Sequence, residues 1–212
     1  MCARLSKAGV VTNVLTWMAS IVLMLAIFLG VWEALLTLYR WLPEAVPQRQ
    51  EIVAYLLGGV TDGVLEVTYL NFVERYHLLD VRQLFAQISY LFYGVLAASV
   101  LLLGLQRRFA QGRVLVRTGY LGLAAILLPG VVMLLGGFVP LFIFLHTLLF
   151  PEGTWVFPDD SPLIQLFPLA YFFRFGMVYV GALVLSFAGL LVWGKLRKEA
   201  HHAYRHSQGN QK

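Results

Sequence analysis

The sequence predicts an all-α membrane protein: four transmembrane helices, both termini on the inner side (N-in/C-in), and a small extracytoplasmic cap of mixed structure. Three observations predict it. Of 212 residues, 59% are apolar and 13% charged, where a soluble domain has about 45–50% and about 25%; mean hydropathy is +0.75. The apolar residues gather in four stretches, each near or above the roughly 20 residues that cross a bilayer. The basic residues fall mostly on one side of those stretches, as cytoplasmic bias requires.

Taken in order, the first span covers about 11–32. Arg4 and Lys7 precede it, as in a signal peptide. Its apolar run exceeds the roughly 7–15 residues of a signal core and no small-residue cleavage site follows, so it reads as an anchored helix. Residues 33–85 are too many for a bare connection and should fold as the cap. Within it, Asp62-Gly63 reads as a turn, 64–70 has strand-like alternation around Glu66 and Thr68, and 51–57 suits a short helix or a strand equally.

The second span covers about 88–105. Asp80-x-x-Gln83 ahead of its apolar run is close to a capping box, which makes Asp80 the N-cap and leaves His77 a few residues before the helix. An equally weighted role for Asp80 is to orient His77 by a hydrogen bond. The third span, about 119–148, exceeds the minimum, so tilt, a kink at Pro129 or Pro140, or extension beyond the lipid is expected. His146 falls in its last turn. An outer loop, 149–162, ends in Asp159-Asp160-Ser161-Pro162, where Asp160 or Ser161 caps the next helix and Pro162 enters its first turn.

The fourth span, about 163–194, carries Arg174 some twelve residues in. An arginine there snorkels, pairs with an acid such as Glu33, or faces a hydrated cavity. A polar tail, 195–212, should be solvated and mobile. The whole chain, 1–212, reads as one membrane domain.

The charges set the orientation. Arg4, Lys7, Arg107, Arg108, Arg113, Arg117, Lys195, Arg197, Lys198, Arg205 and Lys212 share one side with one acid, Glu199. The other side holds Arg40, Arg49, Arg75 and Arg82 with the remaining acids. The basic side is the cytoplasm, and the net charge of +5 is topological, so nucleic acid is not a partner. The single cysteine, Cys2, excludes an internal disulfide, a CxxC redox pair and a thiolate cluster.

His77 and His146 both fall on the outer side near the membrane surface. Two lone histidines are more often interfacial side chains satisfied by backbone or water than catalysts. No metal or cofactor is expected from so sparse a ligand set. Aromatic residues are dense on that side, as an interfacial belt or a pocket for lipid chains would both require.

The segment LHTLLFPEGTWVFPDDSPLIQLFPLAYFF, with HLLDV at 77–81, resembles the lipoprotein intramolecular transacylase family of small bacterial membrane proteins. The resemblance rests on His77, Asp80 and Val81, then His146, Phe150, Trp155, Asp160, Leu163, Ile164, Phe167 and Pro168. The chain departs from the pattern at two packing positions, Leu78 and Leu149. The resemblance implies a multi-pass enzyme of the bacterial plasma (inner) membrane, working at its extracytoplasmic face on a diacylglyceryl lipoprotein among membrane lipids.

An sn-2 acyl chain would move to the α-amine of the substrate's own N-terminal cysteine, giving a lyso-form lipoprotein. His77 and His146 are then the catalytic pair, and Asp80, Phe150, Trp155, Asp160 and Arg174 the substrate-binding candidates. The sequence has no GxSxG elbow and its only thiol lies on the wrong side, which fits direct attack by the substrate amine. The alternative is a non-catalytic membrane protein that binds a lipid or partner protein through its cap.

Overall fold

The computed structural model describes residues 7–42, 46–58, 69–106 and 108–209. These form seven α-helices: α1 (Lys7–Trp41), α2 (Pro47–Leu56), α3 (Phe72–Gly104), α4 (Arg108–Gly136), α5 (Phe138–Leu149), α6 (Pro162–Leu166) and α7 (Leu169–Gly209). Four of them, α1, α3, α4 and α7, are long and apolar enough to cross a membrane. Much of their apolar surface is exposed, including Leu101, Leu128 and Leu185. That is the distribution a lipid solvent selects, because an apolar side chain loses nothing by facing acyl chains.

The chain divides into two compact units. The first comprises 1–29, 92–127 and 181–212. Its helices approach closely because small residues line their contacts. A Cβ on Gly122 would overlap the Phe187 ring, and one on Gly194 would stand 2.8 Å from Val116. Thr118 Oγ1 donates to the Ser20 carbonyl at 3.1 Å. Thr16 and Ser20 are fully buried and return their hydroxyls to carbonyls one turn back, those of Thr12 and Thr16. Close packing of small residues is how helices associate where no hydrophobic effect drives them together.

The second unit comprises 30–91 and 128–180. Its core gathers Ile52 and Tyr55 of α2, Leu78 of α3, Leu163 of α6, and Leu70 and Phe167. Arg49 ties α2 to this core: its Nε donates to the Leu166 carbonyl at 2.7 Å and its guanidinium lies over the Tyr171 ring. Trp32 meets Phe85, Phe175 and Tyr179 edge-on.

Several expectations change. The 51–57 segment, open between helix and strand, lies mainly in α2. The turn at Asp62-Gly63 and most of the 64–70 strand lie outside the described residues, among which no strand occurs. The third stretch is two helices, broken at Gly137, whose φ of +82° lies in the left-handed range. The break at Gly137 accommodates Pro140, three residues on. In a continuous helix Pro140 would clash with the Gly136 carbonyl, whereas in the first turn of α5 its missing N–H is not needed. Ser161 does cap a helix, accepting from Ile164 N, but that helix is the five-residue α6. The last span begins separately at Leu169, and α7 continues through the expected tail to Gly209.

Candidate active site

The site belongs to the second unit and starts at the N-terminus of α3. Asn71 and Glu74 make a reciprocal box there: Glu74 N donates to Asn71 Oδ1 at 2.9 Å, and Asn71 N donates to Glu74 Oε2 at 2.8 Å. Each side chain satisfies a backbone N–H that the first turn leaves orphaned. The helix therefore starts two turns earlier than Asp80-x-x-Gln83 suggests. Asp80 is not an N-cap, and His77 lies inside α3, not ahead of it.

Glu74 does more than cap. It is fully buried, and its Oε1 accepts from Ser161 Oγ at 2.7 Å and from Leu163 N at 3.0 Å. One carboxyl thus joins the start of α3 to the start of α6 and fixes the end of the 150–161 loop. Sequence reasoning missed this residue. Asn71-x-x-Glu74 was its visible signal, screened by the similar pattern nine residues later.

His77, one turn beyond Glu74, is buried. His146 lies in the last turn of α5. The imidazole centroids are 6.3 Å apart, close enough for one ester or amine group to touch both. Phe150 meets both rings, at 4.8 Å from His77 and 5.4 Å from His146. Trp155 packs against His146 at 5.3 Å and Phe157 against His77 at 5.6 Å. Phe142 packs against His146 as a tilted ring, with centroids 3.9 Å apart. The cluster is thus two imidazoles in an aromatic wall supplied by α5 and the loop after it.

Hydrogen bonding distinguishes the two rings. His146 Nδ1 lies 2.9 Å from the Phe142 carbonyl. A carbonyl can only accept, so Nδ1 carries the proton, and Nε2 of the neutral ring is left with its lone pair. His77 Nδ1 is buried without a protein hydrogen-bond partner. So is Asp80 Oδ2, three residues further along α3 and on the same side of the helix. Buried polar atoms are normally paired, so these two are open to a water or to a polar ligand.

Two other candidates are surface residues. Asp160 is exposed, and its carbonyl accepts from Gln165 Nε2. Arg174 is exposed and only the sixth residue of α7, because that helix starts at Leu169. Its suggested partner Glu33 instead accepts from Ser89 Oγ at 2.8 Å. The same unit holds a cleft of about 330 Å³ lined by Glu33, Arg40, Arg82 and Ser89 among others; neither histidine lines it. Among the described residues, no group of three His, Cys, Asp or Glu could hold a metal.

The profile of the family described as lipoprotein intramolecular transacylase Lit matches residues 43–172, which contain the whole cluster. This chain belongs to the Lit family. No curated protein matches it. Solved structures of the membrane-integral Lit from Bacillus cereus do. A variant with a histidine-to-arginine mutation has a TM-score of 0.73 at 18% identity, over 93% of this chain and 96% of that one. A second structure of that protein gives 0.63 at 18% identity, over 96% and 100%. A histidine-to-alanine variant gives 0.62 at 20% identity, over 97% and 98%. At these identities the likeness is one of fold. With four apolar helices long enough to cross, this Lit-family chain is a multi-pass membrane protein.

Proposed function

We propose that the chain catalyses the family's intramolecular transacylation, moving the sn-2 acyl chain of a diacylglyceryl lipoprotein to the α-amine of its N-terminal cysteine. The observation that carries the reading is the convergence of His77 and His146, 6.3 Å apart, inside an aromatic wall. The matched family profile supports the reaction class.

The chemistry needs an amine to lose one proton and an alkoxide to gain one. A free α-amine has a pKa of about 8, so a base nearby raises the neutral, nucleophilic fraction. His146 suits that part, because its Nδ1–H is committed to the Phe142 carbonyl and Nε2 can accept. The amine nitrogen attacks the sn-2 ester carbon and gives a tetrahedral intermediate as Nε2 takes the proton. The C–O bond then breaks, the sn-2 oxygen takes the proton back, and an amide remains. His77, opposite, donates to the oxyanion or the leaving oxygen. The product is an isomer of the substrate, and no enzyme nucleophile takes part.

Much of the rate would come from confinement, since donor ester and acceptor amine belong to one flexible molecule. Phe150 and Trp155 would press the acyl chain and glyceryl group against the imidazoles. Asp80, with an unmet oxygen beside His77, would hold the amine. Asp160 and Arg174, exposed at the start of α6 and in α7, would meet the substrate's peptide and polar glyceryl portions. The site would face the extracytoplasmic side of a bacterial plasma membrane.

The test is mass spectrometry of a reporter lipoprotein's N-terminal lipopeptide, co-expressed in a host unable to N-acylate lipoproteins. The wild type should convert it to an isomer whose fragments place one acyl chain on nitrogen. His77→Asn and His146→Asn should each lower that conversion by about 100-fold or more. Unchanged diacylglyceryl cysteine beside well-expressed wild type would overturn the reading.

A further inference from the structure

The first unit holds a cleft of about 320 Å³ whose chemistry is cationic. Trp17 of α1, Arg113, Arg117 and Tyr120 of α4, and Lys198 of α7 line it, with no carboxylate among the lining residues. Arg113 and Arg117 are four residues apart on one helix, where like charges face and repel each other. The Arg117 guanidinium lies 3.8 Å from the centre of the Trp17 ring, which fixes its plane, and its Nη1 is buried with no hydrogen-bond partner. An unmet guanidinium N–H in a cleft lined by two further cations is costly, and an anion placed there satisfies both the hydrogen bond and the charge.

Cytoplasmic bias explains why these residues lie on one side of the membrane, but not why they converge. A purely topological role needs charges anywhere near the ends of the spans. Here three separate sequence positions supply one cleft, at the level where α4 begins its apolar run and α7 ends its own. Trp17 and Tyr120 add amphipathic rings of the kind that sit among lipid headgroups. Basic pockets between helices at this level suit phosphate headgroups.

We propose that Arg113, Arg117 and Lys198 bind the phosphate of an anionic phospholipid, with Trp17 and Tyr120 against its glycerol backbone. The guanidinium of Arg117 provides a planar fork for two phosphate oxygens, which a lysine cannot reproduce. The site is independent of the histidine cluster and of the acyl-transfer reading.

The full chain, purified in detergent and stripped of lipid, would be titrated with phosphatidylglycerol, phosphatidylcholine, diacylglycerol and inorganic phosphate. Binding would be followed by native mass spectrometry and checked by thermal shift. Phosphatidylglycerol should bind about tenfold tighter than phosphatidylcholine or diacylglycerol, and Arg117→Gln or Lys198→Gln should weaken it by about fivefold each. Arg117→Lys keeps the charge and guards against misfolding of the glutamine variant; it should still lose affinity several-fold. Arg40→Gln, in the other unit, should bind as the wild type does. Equal binding of phosphatidylglycerol and phosphatidylcholine, or wild-type affinity in Arg117→Gln and Arg117→Lys, would overturn the proposal. An equal shift from inorganic phosphate alone would remove the lipid from it.

Discussion

Glu74 takes no part in the proposed chemistry, yet the site's geometry leans on it. Its two oxygens accept from Asn71 N, Ser161 Oγ and Leu163 N, and the side chain is fully buried. Glu74→Gln keeps the shape but turns one acceptor into a donor that faces other donors. The expected cost is about 1–3 kcal/mol, since a buried group is left unsatisfied. Ser161→Ala removes the α6 cap and one Glu74 contact together, for about 1 kcal/mol. The double variant should cost less than the sum, because both changes break the same hydrogen bond. Thermal unfolding of the three purified variants checks this; strict additivity would mean that the Glu74–Ser161 bond contributes nothing. Lipopeptide conversion should fall in each, because the 150–161 loop that carries Trp155 loses its anchor.

At the scale of elements, the position of α5 decides where His146 stands, and Gly137 decides the position of α5. Its φ of +82° with ψ of 176° is a backbone conformation that only glycine adopts readily. Gly137→Ala should destabilise the protein by about 1–3 kcal/mol and lower lipopeptide conversion. Pro140→Ala should be close to neutral on both measures, because the first turn of α5 does not use that N–H. The opposite ranking in a thermal melt would mean that the proline, and not the glycine, sets the break. The sequence leaves open tilt, a kink at Pro129 or Pro140, or extension beyond the lipid. Pro129 sits inside α4, while the chain parts at the glycine that frees Pro140 from its clash.

The start of α3 escapes the sequence pattern for a related reason. Apolar windows find where a helix enters lipid, not where it begins. The first turns of α3 carry Glu74, Arg75, His77 and Asp80, which look like loop composition but pose no obstacle to a helix. Four spans were legible because each is a local property of a contiguous stretch. The approach of His77 to His146 was not, since they are far apart in the chain and no local pattern encodes the contact. Topology places both near the outer membrane surface, but only the resemblance to a known family makes them a catalytic pair. Glu74 was legible in its box with Asn71, but nothing local announced Ser161 and Leu163 as its further partners.

For the molecule as a whole, the reading stands or falls on which side of the membrane the histidine cluster faces. The basic residues near the ends of the long helices argue that both termini are cytoplasmic. With that orientation, the loop after α5 and the start of α3 face outward, where a lipoprotein anchored in the outer leaflet could present its α-amine. A fluorescent protein fused after Lys212 should therefore fold and fluoresce in living cells. Alkaline phosphatase inserted after the exposed Glu152 should be active, as that enzyme requires an oxidising exterior. The reverse pair of results would place His77 and His146 on the cytoplasmic side. Acyl transfer to an exported lipoprotein would then have no route to the site, however well the two imidazoles are arranged. Opposite signals from the two reporters also test that α7, the only candidate span among the described residues between them, crosses the membrane.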